Sequence, residues 1–212
     1  MPLRHPRILT IAIVLAALGM LRGAAALPGG ATGTVRAMPT QAGGTAAYVG
    51  QVSGSGDLIG IVIDGAQITA YICDGTDSAV GQWGWFLGDR TAAHVDLVST
   101  NGHELQIDFD AYGVPSGQLV TRDGAAYPFA TEPATGTAGI WRAQGLVNGA
   151  PLLAGWVILN NGDERGAGIS EGGVATIRPF HPQPGSEAQQ IPIDSDTLLA
   201  AHVGFISRNV GC

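Results

Sequence analysis

The sequence predicts an all-β fold: an antiparallel meander of about ten strands, closed as a barrel or divided into a two-sheet sandwich, with one short C-terminal helix. Two observations carry that expectation. Turn pairs built on Gly with Asp, Asn or Ser recur about every 8–13 residues along the chain, the spacing of small sandwiches and barrels. Between them lie short runs rich in Val, Ile, Thr and aromatic residues, and two of these, His94–Val98 and Glu104–Phe109, alternate polar with apolar side chains around Asn101-Gly102. Such alternation puts the Leu and Ile on one face and the acids on the other. A closed sheet is preferred to an open one because it leaves no long edge on which other chains could pair.

Taken in order, residues 1–26 read as a secretory signal peptide. Arg4 and Arg7 precede an uncharged run of 14 residues, Ile8–Leu21, and Ala24-Ala25-Ala26 supplies the small residues of a cleavage site. A helix needs about 20 apolar residues to cross the hydrocarbon core, so no stable membrane span is expected after cleavage. Residues 27–44, rich in Gly, Ala, Thr and Pro, form a leader, and residues 45–178 form the β domain. Asp64-Gly65 divides the apolar run Leu58–Ile63 from Gln67–Cys73 and signals a tight hairpin, because both positions tolerate positive φ. The aromatic run Trp83–Phe86 follows, then the Asn101-Gly102 hairpin. A shorter hairpin, Gln118–Thr121 with Ala125–Phe129, turns at Asp123-Gly124, and Leu152–Ile177 supplies two or three more strands. Residues 179–212 are a proline-containing tail, packed on the domain or following it. Within the tail, Ser195 caps a short helix over 196–203 with Gly204 as its stop. Ala47-Tyr48 and Gly60–Gly65 resemble Ile140-Trp141 and Gly155–Gly162. Strand sequences resemble one another easily, so coincidence is the default reading; a duplication would set the first and last hairpins in equivalent positions around a closed sheet.

Composition narrows the function classes. Three of the ten Arg leave with the signal while all 17 acidic residues stay, which deepens the formal charge from −7 to −10. A surface of that sign repels phosphate backbones and anionic lipid heads, so no nucleic-acid partner is expected. The chain contains no Lys, which removes lysine bases, Schiff bases and the phosphate-binding loop lysine. With 13% charged and 45% hydrophobic residues it is too apolar for a disordered segment.

Candidate sites are few. Gly168-Ile169-Ser170-Glu171-Gly172 matches the G-x-S-x-G elbow of hydrolases, but the elbow needs a helix after the serine and here Gly173–Ile177 reads as a strand. Ser170 is therefore the one candidate nucleophile, with His94, His103, His181 and His202 as possible bases, and an ordinary Gly-rich turn is the competing reading. Asp108-x-Asp110-x-Tyr112-Gly113 imitates the opening of a calcium loop, yet its twelfth position is Leu119 and not Glu. His94 and His103 are staggered around Asn101-Gly102 and so do not make a zinc pair. No metal and no cofactor is expected. Cys73 and Cys212 are the only cysteines; in an exported chain they either bridge the tail to the first sheet or leave a small core residue and an unpaired terminus. Trp83 and Trp85 share one face of a strand, opposite Phe86. They offer either core packing or an aromatic surface for a sugar or peptide.

Tyr48-Val49-Gly50, Asp64-Gly65, Ala70-Tyr71-Ile72-Cys73-Asp74-Gly75, Trp85-Phe86, Pro128-Phe129, Ala138–Arg142 and Gly155–Ile158 together resemble a family of exported all-β domains from high-GC bacteria. The resemblance covers about Thr45–Arg178, with Tyr71–Gly75 its most specific motif. It implies an exported β domain and carries no activity, ligand or catalytic residue with it. The expectation is a non-catalytic binding module, secreted or held at the cell envelope, whose partner is an extracytoplasmic protein or a glycan. The alternative is a secreted serine hydrolase built on Ser170.

Overall fold

The computed structural model describes residues 44–76 and 78–204. The segment expected to be a signal peptide and nearly all of the expected leader, like Cys212, lie outside the described residues. The described residues form fourteen strands, where the sequence predicts about ten. They are β1 (Thr45–Val52), β2 (Leu58–Asp64), β3 (Gln67–Cys73), β4 (Trp83–Asp89), β5 (His94–Val98), β6 (Glu104–Phe109), β7 (Pro115–Val120) and β8 (Ala126–Pro133). Then follow β9 (Gly139–Val147), β10 (Ala150–Ile158), β11 (Glu164–Ser170), β12 (Gly173–Thr176), β13 (Ala188–Ile193) and β14 (Asp196–His202).

The turns explain the meander. The loops Ser99–His103, Asp110–Val114, Thr121–Ala125 and Leu159–Asp163 share one geometry, in which the first N–H donates to the fifth carbonyl and the fourth residue, a glycine, donates back to the first carbonyl. That is a type I turn followed by a left-handed residue, and the four glycines have φ between +82° and +88°. The Asp64-Gly65 signal is correct in place but shifted by one residue. Asp64 closes β2 by pairing with Gln67, and Gly65-Ala66 make the turn.

Two antiparallel sheets result. The first has eight strands in the order β4-β3-β2-β1-β8-β7-β6-β5. Its two ends approach each other: Asn101 Nδ2 donates to the Trp83 carbonyl (2.5 Å), and Gly88 leaves the space that Leu97 fills. The sheet is thus a nearly closed barrel. Ile59, Ile61, Ile72, Phe86, Leu105, Ile107, Leu119 and Phe129 fill it from alternate positions of six strands. Each such burial contributes roughly 1.5–3 kcal/mol relative to exposure.

The second sheet has six strands in the order β12-β11-β10-β9-β14-β13. This repeats the first order strand for strand, except that among the described residues no strand stands in the place of β6 and β5. Tyr48 pairs with Ile61 in the first sheet and Trp141 with Trp156 in the second, and all four side chains point to the concave side of their own sheet. The short likeness between Gly60–Gly65 and Gly155–Gly162 therefore falls on equivalent strands, β2 and β10. Between the convex faces, Gly60 accommodates Ile140 of the second sheet while Gly155 accommodates Tyr71 and Trp85 of the first. A glycine within a strand commonly marks such a close approach, and here the two sheets exchange it.

The helix expected over 196–203 is instead β14. Leu198, Ala200 and Ala201 are buried because β14 lies between β13 and β9, so pairing on both sides overrides a locally helix-compatible composition. Through β13 and β14 the described part of the tail is accordingly joined to the second sheet.

Candidate functional site

Where the first barrel has β5 and β6, the second sheet has the irregular segment 177–187. Prolines 179, 182 and 184 lie in it, and proline withholds the donor that a ladder needs. The segment is pinned from the sheet. Trp156 Nε1 donates to the Arg178 carbonyl (3.1 Å), and the Phe180 N–H donates to Glu164 Oε1. The Phe180 ring then packs on Trp141 and Trp156, with centroids 5.1 and 5.3 Å away. The Phe180 ring thus fills part of the space that strands fill in the first barrel, and a cleft remains beside it.

The opening is a cleft of about 780 Å³. Trp156, Ile177, Phe180, Ile191 and Ile193 give it an apolar lining, while Arg178, His181, Gln189, Gln190 and Asp194 supply polar groups. Gln189 Oε1 accepts from the Gln183 N–H (2.9 Å) and ties the two walls together. An apolar floor with a few polar groups at the rim suits binding. General acid–base or nucleophilic chemistry would ask for a nucleophile bonded to an oriented base.

Ser170 lies at the end of β11 and donates to the Gly173 carbonyl (3.4 Å) across a turn. The described histidines are engaged elsewhere. His94 contacts Asp108 (2.7 Å) and Asp96 (3.1 Å) on an exposed face, and the bond to Asp108 raises its pKa. His202 contacts the Ala138 carbonyl, and burial lowers its pKa. His103 is buried in the Ser99–His103 loop, and desolvation lowers its pKa too. His181 Nδ1 lies 3.7 Å from Glu164 Oε2 at the cleft.

Trp83 and Trp85 pack partly buried against the core between the sheets. Trp85 stacks on Tyr71 with centroids 4.3 Å apart, and the Arg142 guanidinium sits 5.8 Å from its ring. Phe86 points the other way, into the barrel. Asp108 pairs with His94, and Asp110 caps its own loop through the N–H groups of Tyr112 and Val114 (both 2.8 Å). Among the described residues no group of three or more His, Cys, Asp or Glu could hold a metal ion. Cys73 is buried, and desolvation pushes its thiol up to about 11; whether Cys212 meets it lies outside the described residues.

Two features escaped the sequence reading. The cleft arises from strands far apart in the chain, and its only local signal is the proline run that interrupts the meander. Asp57 is 1% exposed with both carboxylate oxygens unpartnered. In sequence it looked like one more Gly-Asp turn. No family model, curated protein or solved structure matches the chain.

Proposed function

We propose that the protein is an exported, non-catalytic binding module, secreted or retained at the cell envelope, which takes up a partner or ligand in the cleft of its second sheet. The observation that carries this reading is the open concave face itself: about 780 Å³ lined by Trp156, Ile177, Phe180, Ile191 and Ile193, at a place where the equivalent sheet has strands. A concave site with a mainly apolar lining and a few polar groups ordinarily marks a binding site. Export is supported by the basic start, the short apolar run and the Ala24-Ala25-Ala26 site. The non-catalytic part of the reading is supported by Ser170, which among the described residues bonds only the turn carbonyl at Gly173, whereas a nucleophilic serine asks for an adjacent base.

Trp156 lies in the cleft and reports on it. Titration of the full chain with panels of extended peptides and of oligosaccharides is expected to give a saturable change in tryptophan emission with one of the two classes. Trp156→Phe should abolish the change. If no member of either panel produces saturable binding, the cleft is not a binding site and this reading fails.

A further inference from the structure

We propose that the free edge of β12 takes up an extended segment of a partner protein, which completes the second barrel in the place that β5 holds in the first. This rests on the binding-module reading and names its partner class.

The equivalence of the sheets sets the argument. β12 occupies in the second sheet the position that β4 occupies in the first. The far edge of β4 is met by β5 and its loop, through the bond from Asn101 to the Trp83 carbonyl and the packing of Leu97 at Gly88. Among the described residues β12 has no such neighbour, and all four of its residues are exposed. In an antiparallel ladder alternate residues turn their N–H and C=O away from the paired strand, so β12 presents a row of free backbone groups beside an apolar cleft.

Natural sheets blunt such edges with charge or proline. The opposite edge of this sheet follows that rule: β13 carries Pro192, whose missing donor belongs on the unpaired side. β12, Gly173-Val174-Ala175-Thr176, carries neither, although at four residues it is a short edge. One edge is closed to pairing and the other is open, so added pairing belongs to β12 alone.

The first barrel also indicates what the occupant resembles. β5 turns Val95 and Leu97 inward and leaves His94, Asp96 and Val98 exposed. A segment in the equivalent place would alternate in the same way and turn its apolar side chains toward Ile177 at the side of the cleft. Backbone pairing would give affinity and the cleft would give selectivity, as in other strand-addition modes. A glycan offers no matching ladder. A second copy pairing through its own β12 would bring only Val174 as an apolar residue of any size, too little to fill either cleft.

The test uses the full chain and a capped synthetic nonapeptide that alternates Thr with Val and Leu between terminal arginines. A peptide of the same composition with its apolar residues grouped is the control. Backbone hydrogen exchange should show alternate amides of β12 becoming protected at saturation with the alternating peptide. Val174→Lys and Thr176→Lys, both at exposed positions, should each weaken binding at least about tenfold without altering the unfolding midpoint. Quenching of Trp156 with unchanged β12 amides and unaffected lysine variants would leave the binding module standing and overturn strand addition. Equal binding of the grouped control would overturn it as well. A concentration-dependent dimer lost in Val174→Lys would identify a second copy as the occupant and overturn the partner assignment. Absence of binding by either peptide would also overturn it.

Discussion

Asp57 sits beneath the start of β2 with neither carboxylate oxygen hydrogen-bonded. Desolvation raises its pKa from 3.8 to about 6, the Ser55 hydroxyl opposes the shift, and the charge of Asp74 adds to it. Because the folded form holds this proton more tightly than the unfolded chain, the associated stability is complete below about 3.8 and is lost as pH rises through about 6. The shift corresponds to about 3 kcal/mol. Asp57→Asn should therefore match the parent near pH 4 and exceed it by up to that amount above pH 7, read from denaturant midpoints across the range. A difference that stays constant with pH would refute the assignment. Gly155 makes a steric prediction at the same scale. A Cβ there would lie 2.7 Å from Trp85 and 2.9 Å from Tyr71, so Gly155→Ala should destabilise by about 1–3 kcal/mol, measurable in the same unfolding experiment.

Among the elements, the hairpins with clean alternation were readable because a period of two and a Gly-containing turn are both local properties. His94–Val98 and Glu104–Phe109 emerge as β5 and β6 with the predicted bounds. The loop Thr121–Ala125 shows what its glycine contributes. Gly124 has φ +87° and open space around it, so Gly124→Ala meets only backbone strain and is expected to cost about 1 kcal/mol. A loss of several kcal/mol would mean that the loop packs more tightly than the open space around Gly124 indicates. β14 was misread for the opposite reason. Asp-Thr-Leu-Leu-Ala-Ala-His is compatible with a helix locally, and only the partners β9 and β13 make it a strand.

At the scale of the molecule, β14 joins the C-terminal hairpin to β9 and covers the core formed by Trp141, Ala143 and Leu198. Removal of residues 188–212 should expose that core, and the shortened chain is expected to bind a hydrophobic dye and lose cooperative thermal unfolding. Retention of a single sharp transition would show the second sheet to be stable without its last two strands. For the intact protein, N-terminal sequencing of the exported fraction is expected to begin at Leu27, whereas intact Met1 in a membrane fraction would mean an anchored protein.

The sequence by itself determined that the domain is all-β, where most turns fall, and that its chemistry excludes lysine-based mechanisms. Each of these depends on residue type or on neighbours a few positions apart. It left open whether Trp83 and Trp85 make a surface or pack inside. The tertiary structure decided that, because the answer depends on Tyr71 stacking beneath Trp85 and on Gly155 receiving both rings from the other sheet. It also decided the cleft. An opening between β12 and β13 exists because a proline-interrupted segment stands where β5 and β6 close the first barrel, and pairing between residues so far apart leaves no local pattern to read.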